Sequence, residues 1–159
     1  MRKFRAFTLI ELLIVVVIIG ILATFVVISL NGAQKRARNT NAINSVSEVK
    51  DSLSTYYGLT NDLSGLNTGT CDAAVGTWVN AYSCGSILEA AGAKGFSTQP
   101  KDARGNQIRF KVTDATNGYF SAAGKAADNT HCWYYNKAAS VSQNLDSGSS
   151  VGGSCPVGF

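Results

Sequence analysis

The chain is 159 residues long, 45% hydrophobic and 15% charged, which accommodates one modest domain and one specialised segment and excludes a multidomain enzyme. Fourteen Lys and Arg against ten Asp and Glu give a formal charge of +4, but Arg2, Lys3 and Arg5 supply three of those bases, and from Gly58 to Phe159 seven bases face seven acids. The bulk of the chain therefore lacks the one-sided basic footprint of a nucleic-acid-binding domain, and no nucleic-acid partner is expected.

Behind the basic hexapeptide, Phe7 to Leu30 is apolar except for Thr8, Glu11, Gly20, Thr24 and Ser29. From Leu12 to Leu30 no residue is charged, and a helix of about 20 such residues spans the hydrocarbon core of a bilayer. A secretory signal peptide has a shorter apolar region and no acid in it. Glu11 costs roughly 2–3 kcal/mol if it enters the centre of lipid, and less near the edge, so it reads as a functional residue.

The run Ala6-Phe7-Thr8-Leu9-Ile10-Glu11-Leu12-Leu13-Ile14-Val15-Val16-Val17-Ile18-Ile19-Gly20-Ile21-Leu22-Ala23 resembles the N-terminal segment of type IV pilins and pseudopilins. The resemblance implies a leader, residues 1–6, cut between Ala6 and Phe7 by a prepilin peptidase that then methylates the new Phe7 amine. Ala6 stands where the family usually has Gly. It also implies an assembly role for Glu11, whose carboxylate would neutralise the Phe7 amine of a neighbouring subunit, a pairing strengthened by the low dielectric of a filament core. Before assembly Phe7 and Glu11 stand four apart on one helix, where an intrachain contact would lower the cost of waiting in the membrane.

Arg2, Lys3 and Arg5 on one flank of the apolar run are balanced by Lys35, Arg36 and Arg38 on the other, so basic residues leave its orientation open. Cys71, Cys84, Cys132 and Cys155 all follow the run, and four cysteines behind a membrane segment favour an oxidising compartment. The expected topology is a single pass through the inner (cytoplasmic) membrane with the C-terminus outside, followed by an extracellular or periplasmic filament.

Residues 31–57 continue the helix in amphipathic form. Ala42, Val46, Val49, Leu53 and Tyr56 recur at spacings of four and three, with polar residues between them. Gly58 is the expected C-cap, and Asn31-Gly32 the expected weak point. A helix from about Thr8 to Tyr57 would be roughly 75 Å long. Lys35, Arg36 and Arg38 suit lipid phosphates at the membrane surface, or Glu48 and Asp51 of neighbouring subunits.

Residues 58–159 form the expected globular domain. Leu59 to Gln99 reads as a long loop with one short helix, Ile87 to Ala91, opened by a Ser86–Glu89 capping box and closed by Gly92. Four cysteines allow three pairings. Cys71–Cys84 with Cys132–Cys155 keeps both bridges local to plausible loops. No C-x-x-C spacing exists and His131 is the only histidine, so neither metal nor cofactor is expected. Pro100, Asp102 and Gly105 resemble the turn before the sheet in type II secretion pseudopilins and many pilins, with Ala103-Arg104 in place of the usual Pro-Trp. Major pseudopilins hold calcium in a comparable C-terminal loop. Asp146 is the only acid after Asp128, and the second disulfide is read as replacing that metal.

Alternation marks strands at Ile108–Val112, Tyr119–Ala123 and Cys132–Tyr135, an antiparallel meander. The fold class is α+β, a long N-terminal helix packed on a small antiparallel sheet. No nucleophile with a base, and no phosphate-cradling glycine loop, supports an enzyme. The expected function is a filament subunit partnered by prepilin peptidase, identical or related pilins and an assembly platform. The alternatives are a type II secretion pseudopilin, or a membrane-anchored adhesin or DNA-uptake module that does not polymerise.

Overall fold

The computed structural model describes residues 7–127, 132–138 and 141–143. The chain divides into two compact units, Met1–Arg36 and Ala37–Phe159. The element α1, Leu9–Thr60, contributes to both. Asn31 and Gly32 are helical like their neighbours: the cost of about 1 kcal/mol for Gly in a helix interior is tolerated.

In the second unit the apolar stripe of α1 is buried as its spacing requires, with Ala42, Val46, Val49 and Leu53 fully covered and Tyr56 nearly so. Burying each Val or Leu side chain contributes about 1.5–3 kcal/mol. The helix does not stop at Gly58. It ends at Thr60, and Asn61, at φ 55°, takes the left-handed position with its N–H on Tyr57 O at 2.7 Å. Asn shares that conformation with Gly at lower frequency. The Tyr57 hydroxyl donates to Thr116 O at 3.1 Å.

Among the described residues the sheet has five antiparallel strands in sequence order: β1 Trp78–Asn80, β2 Arg109–Asp114, β3 Tyr119–Lys125, β4 Cys132–Ala138 and β5 Val141–Gln143. The three expected strands are present, each displaced or longer than expected, and β1 and β5 are additions. Phe110 pairs with Ala122 and Val79, and Val112 pairs with Phe120, so one face of β1–β3 gathers the apolar residues that cover the α1 stripe. The register slips between Val112 and Asp114, a bulge just before the turn in which Asn117 N–H donates to Asp114 Oδ1 and Gly118 adopts φ 66°.

The segment between α1 and β2 is more ordered than a long loop. It holds two 3₁₀ turns, Ser64–Leu66 and Ala81–Cys84, then β1 and the helix α2, Gly85–Ala90. The expected capping box does not form: α2 starts earlier, at a Cys84 N-cap with no side-chain cap, and Glu89 lies against Gly95. Gly92, at φ 83°, does close it, donating to Glu89 O at 2.9 Å.

Candidate functional site

Thr8 immediately precedes the first helical residue, Leu9. Its Oγ1 accepts the Glu11 N–H at 3.4 Å, while Glu11 Oε2 accepts both the Thr8 N–H at 2.9 Å and the Thr8 hydroxyl at 2.8 Å. This is a reciprocal capping box that satisfies two otherwise orphaned donors of the first turn. In this unprocessed chain, where Phe7 has no free amine, Glu11 is thus held by Thr8. The signal was present as Thr-x-x-Glu. Phe7 carries a peptide bond to Ala6 here and is 85% exposed; Ala6 lies outside the described residues.

Downstream of the box, every side chain described between Phe7 and Phe25 is exposed, and none of the most apolar stretch is buried within the chain. Thr24 donates its hydroxyl to Ile21 O at 2.7 Å, so this polar group is satisfied internally, as lipid would require. The helix is long and apolar enough to cross a membrane.

In the second unit a disulfide joins Cys71 and Cys84, whose Cα atoms are 4.5 Å apart. Cys132 is buried and disulfide-bonded, and Cys155 lies outside the described residues, as do Asp128, His131 and Asp146. Among the described residues no group of three His, Cys, Asp or Glu is placed to hold a metal.

Pro100 and Asp102 are buried. Asp102 Oδ1 accepts the N–H groups of Arg104 at 2.8 Å and Asn106 at 2.9 Å, and Oδ2 accepts that of Lys125 at 3.0 Å. Ala103 N–H also donates to Lys125 O at 3.1 Å. The turn is therefore tied to the end of β3, a link 23 residues long that local turn chemistry does not reveal. Gly105 adopts φ 89° at its tip, a conformation that favours glycine.

Polar side chains of α1 are paired within the chain. Lys94 Nζ lies 3.3 Å from Glu48, Lys50 Nζ lies 3.2 Å from Asp51, and the Ser52 hydroxyl donates to Lys94 O. Hydrogen bonds from Ser64 hold the Asp62 carboxyl below its usual range, and those from Asn117 do the same for Asp114. Burial, with the Asp62 charge second, pushes the Tyr56 phenol up.

A family model described as the prokaryotic N-terminal methylation motif matches residues 1–27. The type II secretion system core protein G of Vibrio cholerae serotype O1 is 43% identical over 56 residues, covering 35% of this chain and 38% of that protein. The match thus spans little more than a third of the relative's length. No solved structure matches the chain. A methylation-type N-terminus, an apolar helix continued into a buried amphipathic one, and an antiparallel sheet covering the latter agree with these likenesses, which support the type IV pilin and pseudopilin family.

Proposed function

We propose that the chain is a precursor cut between Ala6 and Phe7, N-methylated on Phe7, held by residues 7–30 in the inner membrane with its C-terminus outside, and polymerised through that helix into a pilus-like filament with copies of itself or related subunits. Prepilin peptidase and a pilus assembly platform are the partners this reading requires. The observation that carries it is Glu11, the one charged residue of a largely apolar helical run whose described side chains are exposed, fixed on the first turn by Thr8. Its presence costs insertion energy that lipid does not return. A neighbour's Phe7 amine offsets that cost only in the polymer, and a mispaired subunit leaves a charge buried alone.

The test is Glu11→Gln beside Leu12→Ala, each as the sole copy in cells, with intact-mass measurement of the subunit. A processed, membrane-inserted Glu11→Gln chain that yields few sheared filaments, with Leu12→Ala close to normal, is the expected result. Retention of residues 1–6 overturns the processing step, and normal filaments from Glu11→Gln overturn the pairing. The likeness to type II secretion system core protein G favours a second reading, in which the filament is a periplasmic pseudopilus. Electron microscopy of sheared surface material distinguishes the two.

A further inference from the structure

Ser86 and Glu89 stand three apart on one side of α2, both exposed, and the capping box that would join them is not made. Among the described residues no hydrogen bond or ion pair engages either side chain. The Glu89 carboxylate turns instead to Gly95 and occupies the space that a side chain there would take. Gly95 does not have a positive φ, so glycine serves close approach at this position and not an unusual backbone conformation. Lys94, the base next to it in sequence, already lies 3.3 Å from Glu48.

Ser86 and Glu89 line an open cleft of about 270 Å³ together with Tyr82, Gly85 and Phe96. Its walls are fastened. Cys84, immediately before Gly85, is bonded to Cys71, the Gly85 N–H donates to Tyr82 O, and Ala81 N–H donates to Ile108 O at 3.0 Å. On the far side of α2, Leu88 is buried and its carbonyl accepts the Ala93 N–H at 2.9 Å. The lining thus presents one carboxylate, one hydroxyl and aromatic carbon from Tyr82 and Phe96, with no cation among the lining residues. An anion would meet the Glu89 charge, and no group of three His, Cys, Asp or Glu among the described residues is placed to hold a metal.

We propose that this cleft binds a primary alkylammonium group, of the kind that ends a lysine side chain. Such a group has three donors and no acceptor. Glu89 accepts one of its hydrogens and takes its charge, the Ser86 hydroxyl accepts a second, and Tyr82 and Phe96 cover the alkyl stem. A quaternary ammonium has no hydrogen to give Ser86 or Glu89. A neutral sugar would meet the aromatic surface and the hydroxyl but leave the Glu89 charge without a counterpart. Because Gly95 already holds the carboxylate in place and the disulfide fixes the start of α2, little ordering is needed on binding. The site belongs to the second unit alone and does not depend on whether the chain polymerises.

The experiment titrates the full, oxidised chain in detergent with n-butylammonium and follows NMR signals of Tyr82, Ser86, Glu89, Gly95 and Phe96. Saturable shifts confined to these residues are expected, with Kd on the order of millimolar, as suits so small a ligand. Glu89→Gln, which removes the charge at an exposed position, is expected to weaken binding about tenfold. Gly95→Ala keeps the charge but displaces the carboxylate, and is expected to weaken binding by a similar factor while the remaining spectrum stays that of the folded chain. The peptide Gly-Lys-Gly in place of n-butylammonium names the source: tighter binding assigns the lysines of a protein, weaker binding a free alkylamine. Absence of saturable shifts, equal binding by Glu89→Gln, or binding of tetramethylammonium or methyl glucoside as tight as that of n-butylammonium overturns the proposal.

Discussion

Asp102 holds Lys125, 23 residues away, by a 3.0 Å bond from the Lys125 backbone N–H to Oδ2. Removing that carboxylate strands the N–H groups of Arg104, Asn106 and Lys125 together. Asp102→Ala is therefore expected to cost about 2–4 kcal/mol, and Asp102→Asn, which keeps an acceptor, clearly less. Thermal unfolding of the full chain in detergent checks both, and equal Tm values for the two variants would contradict the account.

The turn between β2 and β3 is the site of a second test. Gly118 has φ 66°, and a Cβ there would lie 2.6 Å from carbons of the Tyr57 ring. Gly118→Ala combines backbone strain with a steric clash and is expected to destabilise by roughly 1–3 kcal/mol. Gly69→Ala, also at positive φ but with open space around it, isolates the strain component and should cost less.

Non-reducing peptide mapping is expected to recover Cys71 joined to Cys84 and Cys132 joined to Cys155. Closing a ring of 13 residues contributes about 3 kcal/mol in the chain-entropy model. Replacing Cys71 and Cys84 together with Ala should lower stability by that order and open the ring to proteases, while the α1 stripe and β2–β3 stay folded. A peptide joining Cys84 to Cys132 would show that the two bridges are assigned wrongly.

Asp62 and Asp114 titrate below their unfolded values in the folded chain because they accept hydrogen bonds from Ser64 and Asn117. A depressed carboxyl adds stability that is present above the unfolded pKa and lost as pH falls through the folded one. The Tyr56 phenol is raised by burial, so its contribution is full below the unfolded tyrosine value and lost as pH rises through the folded one. NMR titration should find both carboxyls shifted down. Asp62→Asn should remove the acid-side component at that site, and an unchanged acid limb of the stability profile would contradict it.

Much of the core was legible in the sequence. Ala42, Val46, Val49, Leu53 and Tyr56 declare a helical stripe, and Ile108, Phe110 and Val112 declare a strand, because each pattern depends only on neighbours a few residues away. What escaped is non-local. Trp78-Val79-Asn80 is too short to show alternation and becomes a strand only by pairing with Lys111, Phe110 and Arg109. The helix passes Gly58 to Thr60, where Asn61 supplies the left-handed stop. At the N-terminus, Glu11 stood out as an acid among apolar residues. Its partner Thr8 did not, since Thr-x-x-Glu alone does not tell a box that forms from one that does not: Ser86 and Glu89 share the pattern, yet Glu89 lies against Gly95.

The ring closed by Cys71 and Cys84 is fastened along β2 as well: Gly76 N–H donates to Val112 O at 2.8 Å, Trp78–Asn80 pair with β2, and Ala81 N–H donates to Ile108 O at 3.0 Å. All of these anchors use main-chain atoms or the disulfide, while Asp72, Val75 and Thr77 point outward with no part in the core. Side-chain identity at those positions is thereby uncoupled from folding. The ring can accumulate substitutions at these positions without loosening the backbone that carries it, which gives the molecule a region where its outward appearance can drift while its architecture stays fixed.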